Sequence, residues 1–254
     1  IRLAKRADMP KSKIWLIRAA AFLLAIVLGG LVFFIAGTNP ITAYGAILSS
    51  SLGKASGVKQ VVKIAVPLLG TALALAPCFA MRFWNIGGEG QITMGAVAAS
   101  FFALNYAGSI PSPLLLLLMG IFSILFGAAW AAIPASFKAR WGTNETLFTL
   151  MMNYIAIGIV GWLQGGPWEG KPGSQIIPMF DQEAVLPKVF GVHCGWIIVL
   201  LLTAGMYIYM NDTKQGYEIA VLGESENTAR YAGMNVAKVT IRTACLSGSI
   251  CGLI

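Results

Sequence analysis

The sequence predicts an all-α fold, a polytopic bundle of membrane-spanning helices, and three observations predict it. Of the 254 residues, 57% are hydrophobic and 11% charged, with a mean hydropathy of +0.75, whereas soluble domains carry about 25% charged residues. The apolar residues gather into seven runs, each near the length of about 20 residues that a helix needs to cross hydrocarbon. Lys and Arg stand at the ends of those runs and form no continuous stripe. The net charge of +8 therefore points to membrane orientation and not to nucleic acid.

The runs lie at about 14–36, 62–81, 92–107, 113–134, 146–164, 195–210 and 239–254. The first follows a basic N-terminal segment. The second, almost uncharged, ends at Met81, just before a polar stretch. The third carries no charge but is short, and its helix is free to begin within the preceding glycines. The fourth opens on a leucine series, and the fifth follows Thr143-Asn144-Glu145. The sixth begins after a long proline-bearing loop, and the seventh is cut off by the end of the chain. The whole is expected to be one transmembrane domain, 1–254, truncated at its C-terminus, with a cytoplasmic coupling loop at 211–238 inside it.

Orientation follows from the basic flanks. Arg2, Lys5, Arg6, Lys11, Lys13 and Arg18 precede or open the first run, which puts the N-terminus in the cytoplasm. Alternation from there puts 13 of the 18 basic residues inside and leaves Lys54, Lys59, Lys63, Lys171 and Lys188 outside. Two outer loops are long. In the first, Thr38–Gln60, the part Ala43–Leu52 suits a short surface helix. The second, Gly165–Gly195, carries four prolines and reads as irregular backbone.

Enzyme chemistry finds little support. Gly88-Glu89-Gly90 lacks the third glycine of a dinucleotide loop, and no Gly-Lys-Ser/Thr follows for a phosphate-binding loop. His193 has no companion ligands in sequence. None of the four cysteines forms a CxxC pair, so neither a disulfide framework nor a zinc site is indicated. The first run is too long for a secretory signal. No cofactor is implied.

The polar heptapeptide Asn85-Ile86-Gly87-Gly88-Glu89-Gly90-Gln91 lies between the second and third runs. A carboxylate such as Glu89 costs about 2.5–3.5 kcal/mol at the centre of a bilayer. Broken backbone at that depth persists only where protein buries it or a watery cavity borders it. The segment therefore reads as a bend or re-entrant turn, with Glu89 facing protein or cavity and Arg82 its nearest cation. Asn144, Glu145 and Asn153 form a second polar cluster on the fifth run. Glu145 serves either as a first-turn carboxylate stabilised by the helix dipole or in transport. The amides either bind a polar solute or join helices. In the loop 211–238, Ser225–Gly233 predicts a short helix capped by Ser225 and ended by Gly233.

Phe83–Gln91 with Met94-Gly95-Ala96, Gly142–Glu145 with Thr149–Ala156, Gly165-Gly166-Pro167-Trp168, and Gly223–Met234 occur in this order. Together they resemble the signature blocks of bacterial ABC-importer permeases of the simple-sugar and nucleoside type, the second block leaning toward the nucleoside branch. The coupling block departs from the common double alanine, since Thr228 precedes Ala229. The resemblance implies a multi-pass subunit of the bacterial inner membrane that moves a small polar solute by alternating access. Its partners would be a cytoplasmic ABC ATPase, a second permease subunit and an external solute-binding protein. Asn85, Gly87, Gly88, Glu89, Gly90, Gln91, Asn144, Glu145 and Asn153 are then candidates for the pathway or helix break. Gly223, Glu224, Asn227, Ala229, Arg230 and Gly233 are candidates for ATPase coupling. The alternative is a secondary transporter or channel driven by an ion gradient, with Glu89 as its proton or ion site.

Overall fold

The computed structural model describes residues 10–254. Arg2, Lys5 and Arg6, on which part of the orientation argument rests, lie outside the described residues. The chain forms two compact units, one ending at Val61 and the other spanning Val62–Ile254.

In the first unit, α1 (Lys11–Ile35) is followed by α2 (Pro40–Ser51). Asn39 caps α2 by accepting from the Ile41 N–H at 3.0 Å, and Pro40 sits at the first helical position, where its missing N–H costs nothing. This helix occupies the loop segment expected to hold one. Tyr44 donates to the Ile26 carbonyl at 2.7 Å and meets Phe33 edge-on at 5.4 Å. That approach needs Gly29, where an added Cβ would stand 2.6 Å from the Tyr44 hydroxyl. The apolar surface of α1 is otherwise exposed on the chain.

The remaining helices are α3 (Ala55–Ala80, begun before the unit boundary), α4 (Gly88–Tyr106), α5 (Ser112–Trp141), α6 (Glu145–Gln164), α7 (Gly195–Asp212), α8 (Lys214–Glu224), α9 (Glu226–Tyr231) and α10 (Val236–Leu253). The architecture is all-α. Its described strands, β1 (Lys188–Val189) and β2 (Val192–His193), form a two-residue hairpin in the long loop after α6. Phe190 and Gly191 make the turn, both at positive φ, which suits the twist of a tight hairpin.

Among the described residues, five helices are long and apolar enough to cross a membrane: Ser12–Ile35 in α1, then α3, α5, α6 and α7. The expected count of seven spans is not reached on this measure, because α4 and α10 fall short. Both are helices, but α4 buries Gly88, Gly90, Gln91 and Gly95 against other helices, and α10 buries Thr240, Thr243, Ser247, Gly248 and Gly252. A helix surrounded by protein has no need of the apolar surface that lipid demands.

α10 is the centre of the second unit and packs on α5 and α4. Contact is backbone to backbone. A Cβ on Gly95 of α4 would stand 2.5 Å from the Gly252 Cα, and one on Gly127 of α5 would stand 2.8 Å from the same atom. Gly248 meets Gly127 and Ala131, and Gly252 meets Ser123. Small residues at such spacing let membrane helices gain dispersion energy where lipid supplies no hydrophobic drive.

Candidate functional site

α3 stops because Arg82 adopts the left-handed conformation at φ 59°, and the Phe83 N–H turns back to the Cys78 carbonyl at 2.9 Å. This is the glycine-type helix ending made by an arginine. Residues 81–87 are then non-helical, and α4 begins at Gly88. The break is thus shorter than expected at its far side: Gly88, Glu89, Gly90 and Gln91 form the first turn of α4, and only Asn85–Gly87 of the heptapeptide lie in the bend.

The bend is stitched down by side chains that are almost wholly buried. Asn85 and Gln91 are each 1% exposed and Asn153 5%. Asn85 accepts through Oδ1 from the Gly87 N–H at 3.0 Å and from Gln91 Nε2 at 3.1 Å, and donates through Nδ2 to Ser247 Oγ at 3.3 Å. Asn153 donates to the Ile86 carbonyl at 3.0 Å and accepts from the Gly90 N–H at 2.8 Å. Thr149 accepts from the Ile86 N–H at 3.2 Å while donating to the Glu145 carbonyl at 2.8 Å. Three amide side chains and two hydroxyls therefore replace the hydrogen bonds that the broken helix gives up. They join the bend to α6 and α10. Gly90 permits this, because a Cβ there would stand 2.8 Å from Asn153 Oδ1.

Glu89 behaves differently. Its side chain is exposed on the chain surface and makes no ion pair among the described residues, so Arg82, its nearest cation in the sequence, does not hold it. The reason is position. Ile86 bonds Thr149, one turn into α6, so the bend sits near the end of the bundle and not at its middle. In the first turn of α4 the carboxylate gains from the helix dipole, typically about 0.3–1 kcal/mol. Glu89→Gln is therefore expected to lower the stability of the purified protein by under about 1 kcal/mol and to leave solute uptake intact. Loss of uptake at preserved folding would instead favour the ion-site alternative.

Asn144 caps α6 by accepting from the Leu147 N–H at 3.1 Å. Gly142, at φ 65°, ends α5, and across this tight turn Lys138 pairs with Glu145 at 2.9 Å, with the carboxylate side chain 13% exposed. Both acidic and amide residues of this cluster thus serve the α5–α6 turn, while Asn153, two turns on, joins the knot around the bend.

The expected short helix is α9. Ser225 accepts from the Thr228 N–H at 3.3 Å, and Gly233, at φ 75°, ends it while the Met234 N–H returns to the Ala229 carbonyl at 3.0 Å. Glu224, Asn227 and Arg230 are exposed, Ala229 is buried, and Arg230 pairs with Glu226 at 2.7 Å across one turn. Gly223 is buried where α8 ends: a Cβ there would collide with the Ala80 carbonyl, the end of α3. A cavity of about 790 Å³ lies between these elements, lined among others by Arg82, Phe83, Lys138, Glu145, Glu224 and Arg230. The bend, the α5–α6 turn and the α8–α9 segment thus border one space, and Gly223 sets the end of α8 against the end of α3.

Sequence reasoning missed Ser247, which completes the knot from α10, and gave Thr149 no role. The i, i+4 spacing of Thr149 and Asn153 was the available signal. It also missed helix α8 and the pin in the long loop, where Glu183 accepts from the Gly108 N–H at 2.9 Å and Ser112 donates to the Glu183 carbonyl at 2.7 Å. Among the described residues no group of three His, Cys, Asp or Glu side chains is placed to hold a metal ion.

The chain is 31% identical over 247 residues to the glucose ABC transporter permease protein of Haloferax volcanii, covering 91% of this chain and 64% of that protein. It is 28% identical to the guanosine ABC transporter permease protein of Bacillus subtilis, covering 94% of this chain and 70% of the relative. It is 26% identical to a nucleoside ABC transporter permease protein of Lactococcus lactis, with 96% and 70% covered. The chain thus spans about two thirds of the length of each. No solved structure matches. Residues 57–254 match the family described as branched-chain amino acid transport system / permease component, and the chain belongs to that family.

Proposed function

We propose that this chain is the membrane-spanning subunit of an ATP-driven importer and translocates a nucleoside or a simple sugar by alternating access. The N-terminus and the α8–α9 segment face the cytoplasm, where α9 docks a separate ATPase. A second permease subunit, identical or homologous, completes the pathway. The observation that carries the reading is the contact of Gly223 with the end of α3 beside an exposed, capped helix. It supplies a mechanical link between a docking element and the helix break. The relatives' names, glucose, guanosine and nucleoside permeases, support the solute class.

The test is co-purification with the ATPase subunit, together with Arg230→Glu. Arg230 is exposed, and its surface pair with Glu226 contributes about 0–1 kcal/mol, so the variant is expected to fold. It should uncouple ATP hydrolysis from uptake. Full uptake with an unaltered ATPase complex would overturn the docking role of α9.

The loop 165–195 meets the solute-binding protein in this reading. It is pinned at Glu183 and presents Met179 at 98% and Phe190 at 85% exposure, an unusual outlay of apolar surface for a loop. Cysteines placed at the exposed Lys171 and Asp181 should crosslink to a purified binding protein. Failure at both, and at neighbouring positions, in a working complex would count against this contact.

A further inference from the structure

We propose that the junction of α8, the α9–α10 turn and α10 is a binding site for the phosphate group of an anionic phospholipid headgroup. A cavity of about 450 Å³ opens there, lined among others by Lys214, Tyr217, Glu218, Asn235, Lys238 and Arg242. Three of these side chains are cationic and one is anionic. Arg242 spends Nη2 on Glu218 at 2.9 Å, while its buried Nε–H has no acceptor among the described residues. Lys214 and Lys238 are exposed and make no ion pair among the described residues. The cavity therefore carries a net excess of positive charge supplied by two separate helices. The first turn of α10 is already capped by the Asn235 side chain, which accepts from the Lys238 N–H at 3.0 Å, so the attraction for an anion comes from the cationic side chains.

Position favours a lipid as the source of the phosphate. The apolar helix α7 ends at Asp212, two residues before Lys214, which sets the cavity at the level where headgroups begin. Basic pockets between helices at that level hold acidic headgroups, because the phosphate there loses little hydration and gains several close cations. Tyr217, 63% exposed, supplies an amphipathic ring of the kind that settles at the headgroup boundary. The cavity is within the size range of small-ligand sites, about 300–1,000 Å³. A bound headgroup would touch α8 and the α9–α10 turn together.

The test uses the full chain in neutral detergent, with phosphatidylglycerol, phosphatidylcholine and sodium phosphate as probes, read by native mass spectrometry. Wild-type protein should retain phosphatidylglycerol and release phosphatidylcholine. Each basic residue near an anionic surface is worth about fivefold in occupancy, so Lys214→Gln with Lys238→Gln should weaken retention by about 25-fold. A control pair, Lys54→Gln with Lys59→Gln, lowers the net charge equally and should leave retention unchanged. Displacement of the lipid by excess sodium phosphate, weakened by the same two substitutions, would support the phosphate site while naming free phosphate as its occupant. Equal retention of both lipids, equal retention by the cavity variant, or equal loss in the control pair would overturn the proposal.

Discussion

Asn85→Leu is expected to cost the folded protein about 3 kcal/mol or more, the largest effect of any single polar substitution in the chain. Leucine keeps the branching at Cγ but is bulkier than asparagine, so overpacking at this buried site adds to the loss of hydrogen bonding. The Gly87 N–H, the Gln91 amide and the Ser247 hydroxyl each lose a buried partner at once, and a buried group left unpaired costs about 1–3 kcal/mol. Ser247→Ala should cost about 1 kcal/mol, since Asn85 Nδ2 also lies 3.4 Å from Gln91 Oε1. Thermal unfolding in detergent, with the yield of monodisperse protein as a second readout, orders the two variants. Equal stability of Asn85→Leu and wild type would mean that the knot does not hold the bend.

Gly223→Val is expected to act on coupling as well as on folding. Its side chain would occupy the space of the Ala80 carbonyl, so the end of α8 must move away from α3. Overpacking of this kind costs about 1–3 kcal/mol. Substitutions along a coupling route alter it by about 0.5–2 kcal/mol, which is a fall of about 2- to 30-fold in uptake per ATP hydrolysed. The ATPase should still co-purify, because the exposed face of α9 is unchanged. An unaltered ratio of uptake to hydrolysis in a folded Gly223→Val transporter would remove the Gly223–Ala80 contact from the mechanism.

The parts of the structure legible in the sequence are those governed by local rules. α9 lies where Ser225 and Gly233 bound it, because a cap and a positive-φ glycine are local devices. The end of α3 and the start of α4 are also visible, since a polar, glycine-rich stretch interrupts two apolar runs. Depth was not visible. The cost assigned to Glu89 assumed a place near the bilayer centre, but the hydrogen bonds of the bend to Thr149 and Asn153 set it within two turns of the start of α6. The knot itself depends on Ser247, 162 residues from Asn85, and no spacing rule reaches that far.

Hydropathy alone does not decide whether α4 and α10 are spans, for a physical reason. A run of moderate apolarity reads as a span when every side chain is taken to face lipid, whereas α10 turns Thr240, Thr243, Ser247, Gly248 and Gly252 into the bundle. α8 escaped notice because its apolar residues are few. It is held by Ile219, fully buried in a cluster with Cys78, Met81 and Phe83 at the end of α3, and by the Arg242–Glu218 pair at 2.9 Å. Tertiary contacts of that kind outweigh local propensity.

The central claim is that this permease is driven by ATP through α9, and uptake in sealed proteoliposomes tests it most directly. The permease is reconstituted with its ATPase and solute-binding protein, and labelled nucleoside or glucose is offered outside. Uptake should require enclosed ATP, survive collapse of proton and sodium gradients, persist in Glu89→Gln and fall in Arg230→Glu. Uptake that continues without ATP and vanishes with the ion gradient or with Glu89→Gln would contradict the account and establish the secondary-transporter alternative.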